Sequence, residues 1–512
     1  MTRKIAVAGA IWTVALLASR LMGLVRDAAL GSILGVGPDA DAYAAAFRVP
    51  DLVSFIVSGG ALSIVFIPMF SGFLARGEEE RAWRAFSLVA NFILVLTAVV
   101  VPVMWWFAPE LVAWFVPGFD AERTALVVHL SRILLPAQVF HLLSGLLSAA
   151  LLAKDKHAIP AIAPLVYNAA IIVGGLLLGS AEGFAWGVLV GAFLGPFLLP
   201  LIAATRGGLR WRLILSLRDP DFRRYLLPAL PIMLAFGIVG VDDWVWTRFA
   251  SVLPEGSVAT LQYAKRLAMV PIGVFGMAAG MAAYPTLSRL CAEGNTAEAW
   301  RTILRASKLT LLLAFGAQVV LTVTGADIGA AVFGTARIAP EQQLVLGACL
   351  GCFSLGLGAW SVQMVLSRGF YARARTWLPT GLGFLVLVAS LPLYWAGAHF
   401  YGPPGLAVAS STGMTVYVVL LAAILRKEIG TPQSPGFGDF LLRVLPAAGV
   451  GIAVGLALRP SLGPPEWTRV DALVRTAVLG GVGGAAFVGA AWALGVAEVR
   501  ELGTIVLRRV RR

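Results

Sequence analysis

The sequence predicts an all-α polytopic membrane protein of about fourteen transmembrane helices: two pseudosymmetric six-helix lobes followed by a carboxy-terminal helix pair. Three observations lead there. Of the 512 residues, 59% are hydrophobic and only 13% charged, where soluble domains carry about 25% charged residues; the mean hydropathy is +0.85. Basic residues gather in short loops between apolar runs, and a set of landmarks recurs at nearly constant spacing in the two halves. The net charge of +13 forms no single patch or tail, so it reads as membrane topology and not as a nucleic-acid surface.

A crossing needs about 17–20 apolar residues. The first run follows Thr2-Arg3-Lys4 and continues well past signal-peptide length, so it is expected to stay in the protein as helix 5–26. Further helices are predicted near 43–70, 84–107, 125–152, 159–180, 184–204, 223–250, 258–288, 303–324, 342–367, 377–398, 404–425, 440–458 and 472–495. Lys and Arg mark one side of this array: Arg3 and Lys4; Arg76, Arg81 and Arg84; Lys154 and Lys156; Arg206 to Arg224; Arg289, Arg301 and Arg305; Arg368, Arg373 and Arg375; Arg426 and Lys427; and the tail Arg508 to Arg512. The other side holds little beyond Arg123, Arg337, Arg459 and Arg469. The basic side is the cytoplasmic one. Both termini and the 205–222 loop are therefore expected inside, and the 108–124 and 459–471 loops outside.

Pro68, Gly77, Trp83 and Arg84 recur as Pro285, Gly294, Trp300 and Arg301, displaced by 217 positions. Ala153-Lys154, Lys156 and Pro160 recur as Ala372-Arg373, Arg375 and Pro379, displaced by 219. Six crossings separate equivalent helices, so the halves keep one orientation and are related by an axis along the membrane normal. The expected organisation is a lobe over 1–204, a basic cytoplasmic loop over 205–222, a second lobe over 223–429, and a helix pair with basic tail over 430–512. The last begins with the turn-rich GTPQSPGFGD.

Charges break the apolar pattern at defined places. Arg20, Arg26, Asp27, Asp41 and Arg48 fall in or beside the first two helices, and Asp242, Asp243 and Arg248 in the seventh. Each costs at least ~2.5–3.5 kcal/mol at bilayer depth, so the set is expected to face protein or a wet cavity between the lobes. By the repeat, Arg48 corresponds to Lys265, with Arg266 beside it. Guanidinium groups bind phosphate oxygens through paired hydrogen bonds. The cations Arg20, Arg26, Arg48, Arg248, Lys265 and Arg266 are thus candidate ligands for a diphosphate joined to a lipid; Asp41 joins this set through the resemblance given below. Asp27, Asp242 and Asp243 are candidates for ion coupling. Arg248 is further predicted to supply, from helix 7, a cation at the depth of Ser54 on helix 2.

No Walker A, HExxH or GxSxG pattern occurs, so a transporter is expected and not an enzyme, and no cofactor is called for. Cys349 and Cys352 form a CxxC inside an apolar run with no His or further Cys nearby, which reads as helix packing.

Ser19-Arg20 with Gly23 and Arg26-Asp27, then Asp41-Ala42, then Ala46-Phe47-Arg48-Val49-Pro50, stand in an order that resembles the opening of the MurJ-type lipid II flippases of the multidrug, oligosaccharidyl-lipid and polysaccharide exporter superfamily. The likeness extends through Pro117-Gly118-Phe119, Asn168, Ala185-Trp186-Gly187, Ala250-Ser251 and Phe370-Tyr371-Ala372-Arg373. It implies an alternating-access flippase in the bacterial inner membrane, carrying a polyprenyl-diphosphate peptidoglycan precursor to the periplasmic leaflet, alongside membrane lipids and cell-wall synthesis proteins. Arg20, Arg26, Asp41 and Arg266 match charged cavity residues of that family. The chain departs from it at Ser54, Phe55 and Gly59, where the family carries one or two arginines and then an acid, and at Lys265, where an acid is common. Two alternatives accompany these departures: an exporter of another lipid-linked polysaccharide, and a transport-dead envelope scaffold.

Overall fold

The computed structural model describes residues 2–57, 65–239, 241–334, 336–373, 375, 377–429 and 436–501. Gly59, most of the 430–439 linker and the Arg508 to Arg512 tail lie outside them. Every long element described is a helix, as apolar runs of this length require: backbone groups in hydrocarbon must be satisfied within the segment. Ten described helices are long and apolar enough to cross a bilayer. The remaining four expected crossings fall on the first, second, seventh and eleventh predicted helices.

The chain divides into two compact units, Met1–Val258 and Ala259–Arg512. The first opens with α1 (Thr2–Leu34), longer than predicted. The expected helix 2 is broken at Phe47 into α2 (Pro38–Ala46) and α3 (Arg48–Val57), and its far end is described as α4 (Ile67–Ala75). Pro50 explains the break at Phe47, since it has no N–H to offer the Ala46 carbonyl. Ser131 takes over that carbonyl at 2.9 Å. Next come α5 (Glu79–Trp106), the short helix α6 (Ala108–Phe115), and a fourth crossing made of α7 (Ala121–Leu134) and α8 (Ala137–Ala153). The fifth crossing is α9 (Ala158–Leu178), and the sixth is α10 (Ala181–Ala192), a π turn around Pro196 and α11 (Leu199–Arg206). Gly183, Gly187, Gly191 and Gly195 recur every fourth residue and lie directly on the α9 backbone, where added Cβ atoms would meet Gly174, Ile171, Tyr167 and Ala163 at 2.5–2.8 Å. Small residues at this spacing allow the close approach on which helix packing in lipid depends. The seventh crossing, α12 (Pro220–Val239) and α13 (Val241–Ala250), packs within this unit against α3, α5 and α6.

The second unit holds all but the first two residues of the unbroken α14 (Ser257–Ala292), then α15 (Thr296–Phe333), which is kinked at Thr324. It continues with α16 (Pro340–Leu355), α17 (Leu357–Ala372), α18 (Trp377–Ala389) and α19 (Leu391–Ile429), which turns at Gly402. The final pair, α20 (Phe437–Leu458) and α21 (Arg469–Ala493), packs on α15. The repeat shows in element bounds: the crossings Ala121–Ala153 and Pro340–Ala372 are each 33 residues long.

Candidate functional site

The charges of the first unit are held in two places. On α1, Arg26 directs Nε and Nη2 to Asp27 Oδ1 at 3.0 and 2.8 Å and Nη1 to Asn168 Oδ1 on α9 at 3.1 Å. The Asn168 amide is fixed in turn by donating to the Pro164 carbonyl at 2.9 Å. Asp27 is buried and Arg26 half-buried, which suits a pair facing protein and not hydrocarbon. Arg20 is half-buried on the same helix.

The second place is the start of α3 against α13. Arg48 is buried, only 3% exposed. Its Nε donates to Thr247 Oγ1 at 3.1 Å, Nη1 lies 3.4 Å from Asp51 Oδ2 and 4.0 Å from Asp243 Oδ2, and its guanidinium stands 5.3 Å from the Trp246 ring centroid. Asp243 also accepts the Trp246 indole N–H at 3.0 Å. Asp51 is a participant that sequence reasoning missed, although its i,i+3 spacing from Arg48 on a helix was a usable signal. Thr247 and Trp246 had no comparable signal, being 199 and 198 residues away from Arg48.

The segment after α13 is fastened to the same unit. Asp41, 1% exposed on α2, accepts the Gly256 N–H at 2.7 Å. Gly118 lies flat on Ser251, where a Cβ would stand 2.4 Å from the Ser251 carbonyl oxygen, and its N–H donates to Ser251 Oγ at 3.3 Å. Pro117-Gly118-Phe119 and Ala250-Ser251 thus form one contact. Arg123 reaches Glu255 at 3.5 Å. Arg248 donates to the Trp114 carbonyl and lies 5.3 Å from that indole. Ser54 donates to Gln138 Oε1 on α8 at 2.5 Å. Asp242 is half-buried on α13. Of the candidates, the structure brings Arg48 to Asp243 and Arg26 to Asp27, and gives Asp41 and Arg248 backbone partners.

Lys265 and Arg266 belong to the second unit, both half-buried on α14, with the Lys265 ammonium 5.4 Å from the Trp360 ring centroid. Among the described residues no group of three or more His, Cys, Asp or Glu is placed to hold a metal. Cys349 is buried and Cys352 half-buried, neither in a disulfide. The chemistry available is recognition by fixed guanidinium and carboxylate groups inside helices.

The sequence profile of the lipid II flippase MurJ family matches residues 30–475. The chain belongs to that family. A probable lipid II flippase MurJ of Rhizobium tropici is 30% identical over 380 residues, 71% of this chain and 70% of the relative. The lipid II flippase MurJ of Burkholderia cenocepacia is 26% identical over 84% of this chain and 86% of its own. In fold, the chain is similar to a solved lipid II flippase MurJ in an inward closed conformation, with TM-score 0.75 and 21% identity over 98% and 99% of the two chains. It is also similar to an inward-facing multidrug MATE transporter of the MOP superfamily, with TM-score 0.67 and 17% identity over 80% and 94%. Membership in this family of transporters agrees with the fold and function classes expected from the sequence. The residue roles are a separate matter, and rest on the geometry above.

Proposed function

We propose that this protein is a lipid II flippase of the bacterial inner membrane, moving a polyprenyl-diphosphate-linked peptidoglycan precursor from the cytoplasmic to the periplasmic leaflet by alternating access. The observation that carries the reading is the presence, in a family member, of paired charges held inside helices: Arg26 with Asp27 and Asn168 on α1 and α9, and Arg48 with Asp243 on α3 and α13. Groups this expensive to bury in a bilayer mark substrate or ion pathways. In this reading Arg20, Arg26, Lys265 and Arg266 meet the diphosphate, while Asp41, Arg48 and Arg248 position α13 and the segment after it. Asp27, Asp242 and Asp243 carry ion coupling. The lobes are 1–204 and 223–429, both termini are cytoplasmic, and cell-wall synthesis proteins are partners.

Complementation of a strain depleted of its own lipid II flippase tests the function. Growth restored by the wild-type chain, and lost with Arg26→Ala at normal expression, supports it; failure of the well-expressed wild type sinks it. A second reading, export of another lipid-linked polysaccharide, draws on Ser54, which bonds Gln138 where the family carries arginine. Restored capsule or antigen export without restored growth would favour it. Impermeant cysteine labelling of the 205–222 loop checks orientation: reaction from the periplasm would overturn the topology.

A further inference from the structure

Between α11 and α12 the backbone from Leu209 to Ser216 has no regular structure, yet it runs along the side of α5. On the way in, Ser87 Oγ accepts the Arg212 N–H at 3.1 Å. Asn91 donates to the carbonyls of Arg212 and Ile214, each at 2.8 Å, and accepts the Trp211 indole N–H at 2.9 Å. On the way out, Asp219 meets Arg84 at 2.9 Å and Asp221 meets Arg81 at 2.7 Å. The tip of the loop therefore lies at the level of Asn91, and its two ends at the first turns of α5.

That level can be placed relative to the bilayer. Trp105 and Trp106 close α5 with exposed indoles, as interfacial aromatics do. Counting back about 20 residues, the length of a hydrocarbon crossing, reaches Phe86. Asn91 lies five residues further in, or about 8 Å along the helix. Irregular backbone at that depth needs its polar groups satisfied, and the buried Ser87 and Asn91 do this for the Arg212 N–H, the Arg212 and Ile214 carbonyls and the Trp211 indole. The face turned outward is apolar: Leu213 is 92% exposed, Leu215 50% and Leu217 58%. Around it stand exposed arginines. Arg212 is paired with Glu80 at 2.7 Å, whereas Arg206, Arg218, Arg223 and Arg224 have no ion-pair partner among the described residues, and Arg210 is exposed beside them.

We propose that residues 206–224 form a docking surface for anionic phospholipid, with Leu213, Leu215 and Leu217 among the acyl chains just below the headgroups and Arg206, Arg210, Arg218, Arg223 and Arg224 at their phosphates. Apolar residues flanked by unpaired cations are the composition of interfacial membrane anchors, which gain affinity for each cation near an anionic leaflet. The surface is independent of the transported substrate.

The test places an environment-sensitive fluorophore at Leu213→Cys, and separately at Leu217→Cys, in the full chain with Cys291, Cys349 and Cys352 replaced by alanine. Each labelled protein is reconstituted into nanodiscs of phosphatidylcholine with or without phosphatidylglycerol. The expected result is blue-shifted emission at both positions, quenched by a spin label high on the acyl chain and protected from iodide. In the otherwise unmodified chain, phosphatidylglycerol should raise the Tm, and Arg210→Gln with Arg218→Gln should remove most of that rise. Iodide quenching as strong as in the denatured chain would overturn the proposal, and is the result required if the leucines are instead covered by a soluble protein partner. Equal Tm values in the two lipid mixtures would overturn the anionic assignment.

Discussion

The turn that follows α4 and the turn that follows α14 have the same backbone and different side-chain partners. Gly77 and Gly294 both take positive φ, +76° and +72°. In each turn the next residue's N–H returns to a carbonyl five residues back, Glu78 to Phe73 and Asn295 to Leu290, at 2.9 Å. Beyond the turn the halves part. Trp83 donates to Glu79 at 3.3 Å, and Lys154 joins the same carboxylate at 2.5 Å with its ammonium 5.0 Å from the Trp83 ring. In the second unit Thr296 stands in the place of Glu79, the buried Trp300 Nε1 has no hydrogen-bond partner among the described residues, and Arg373 has turned to Glu428 at 3.4 Å. A left-handed backbone constrains a duplicated position to glycine, because a Cβ there meets the following carbonyl. Polar partners are under no such constraint, since several arrangements satisfy the same donors, so they diverge first.

Arg48 and Lys265, equivalent by the repeat, should separate most strongly. Arg48 is buried and hydrogen-bonded to another helix, so Arg48→Ala is predicted to cost about 3 kcal/mol. Lys265 is half-buried, with its ammonium 5.4 Å from the Trp360 ring centroid, so Lys265→Ala removes a more solvated charge and should cost less, nearer ~1 kcal/mol. Thermal unfolding of both variants in one detergent measures the gap, and equal losses would mean that the repeat sets energetics as well as backbone.

The turn glycines should behave alike instead. Gly77→Ala and Gly294→Ala each force an L-residue into left-handed backbone, at about 1–2 kcal/mol apiece; a cost confined to one of them would break the equivalence of the two turns. The tryptophans come next, with smaller effects of differing sign. Trp83→Phe gives up a hydrogen bond worth about 1 kcal/mol. Trp300→Phe removes a buried donor that has nothing to bond, and should be neutral or slightly stabilising; a loss matching that of Trp83→Phe would argue against this account.

The smallest effect is pH-dependent. Asp120 caps α7, accepting the Arg123 N–H at 2.8 Å and its guanidinium at 2.6 Å, while Ala339 stands at the corresponding cap of α16 with no side-chain acceptor. The backbone N–H first, and the Arg123 side chain after it, hold the Asp120 carboxyl below its ordinary value. The folded pKa is thus lower than the unfolded one, near ~3.9. Its stabilisation is complete above the unfolded value and lost as pH falls through the folded one. The Tm difference between wild type and Asp120→Ala should therefore shrink between neutral pH and about pH 3; a constant difference would show that the cap works without its charge.

Sums over sequence were enough for the outline. Hydropathy located the crossings because insertion depends on the summed transfer of about 20 neighbouring residues, and the repeat appeared because Gly77, Trp83 and their counterparts are constrained locally. The charged residues stood out for the same reason, each an expensive exception in an apolar window. Their partners did not follow. Arg48 finds Thr247, Arg26 finds Asn168, Asp41 finds the Gly256 N–H, and Ser54 finds Gln138, across 84 to 215 residues of chain. The break of helix 2 at Phe47 depends likewise on Ser131 being there to take the carbonyl that Pro50 leaves open, and the 209–216 segment lies along α5 only because Ser87 and Asn91 are buried where its carbonyls and N–H groups need them. Burial energy is additive along a segment and legible from composition. A hydrogen bond between helices requires two particular atoms to meet within about 3 Å, and tertiary packing alone decides which atoms do.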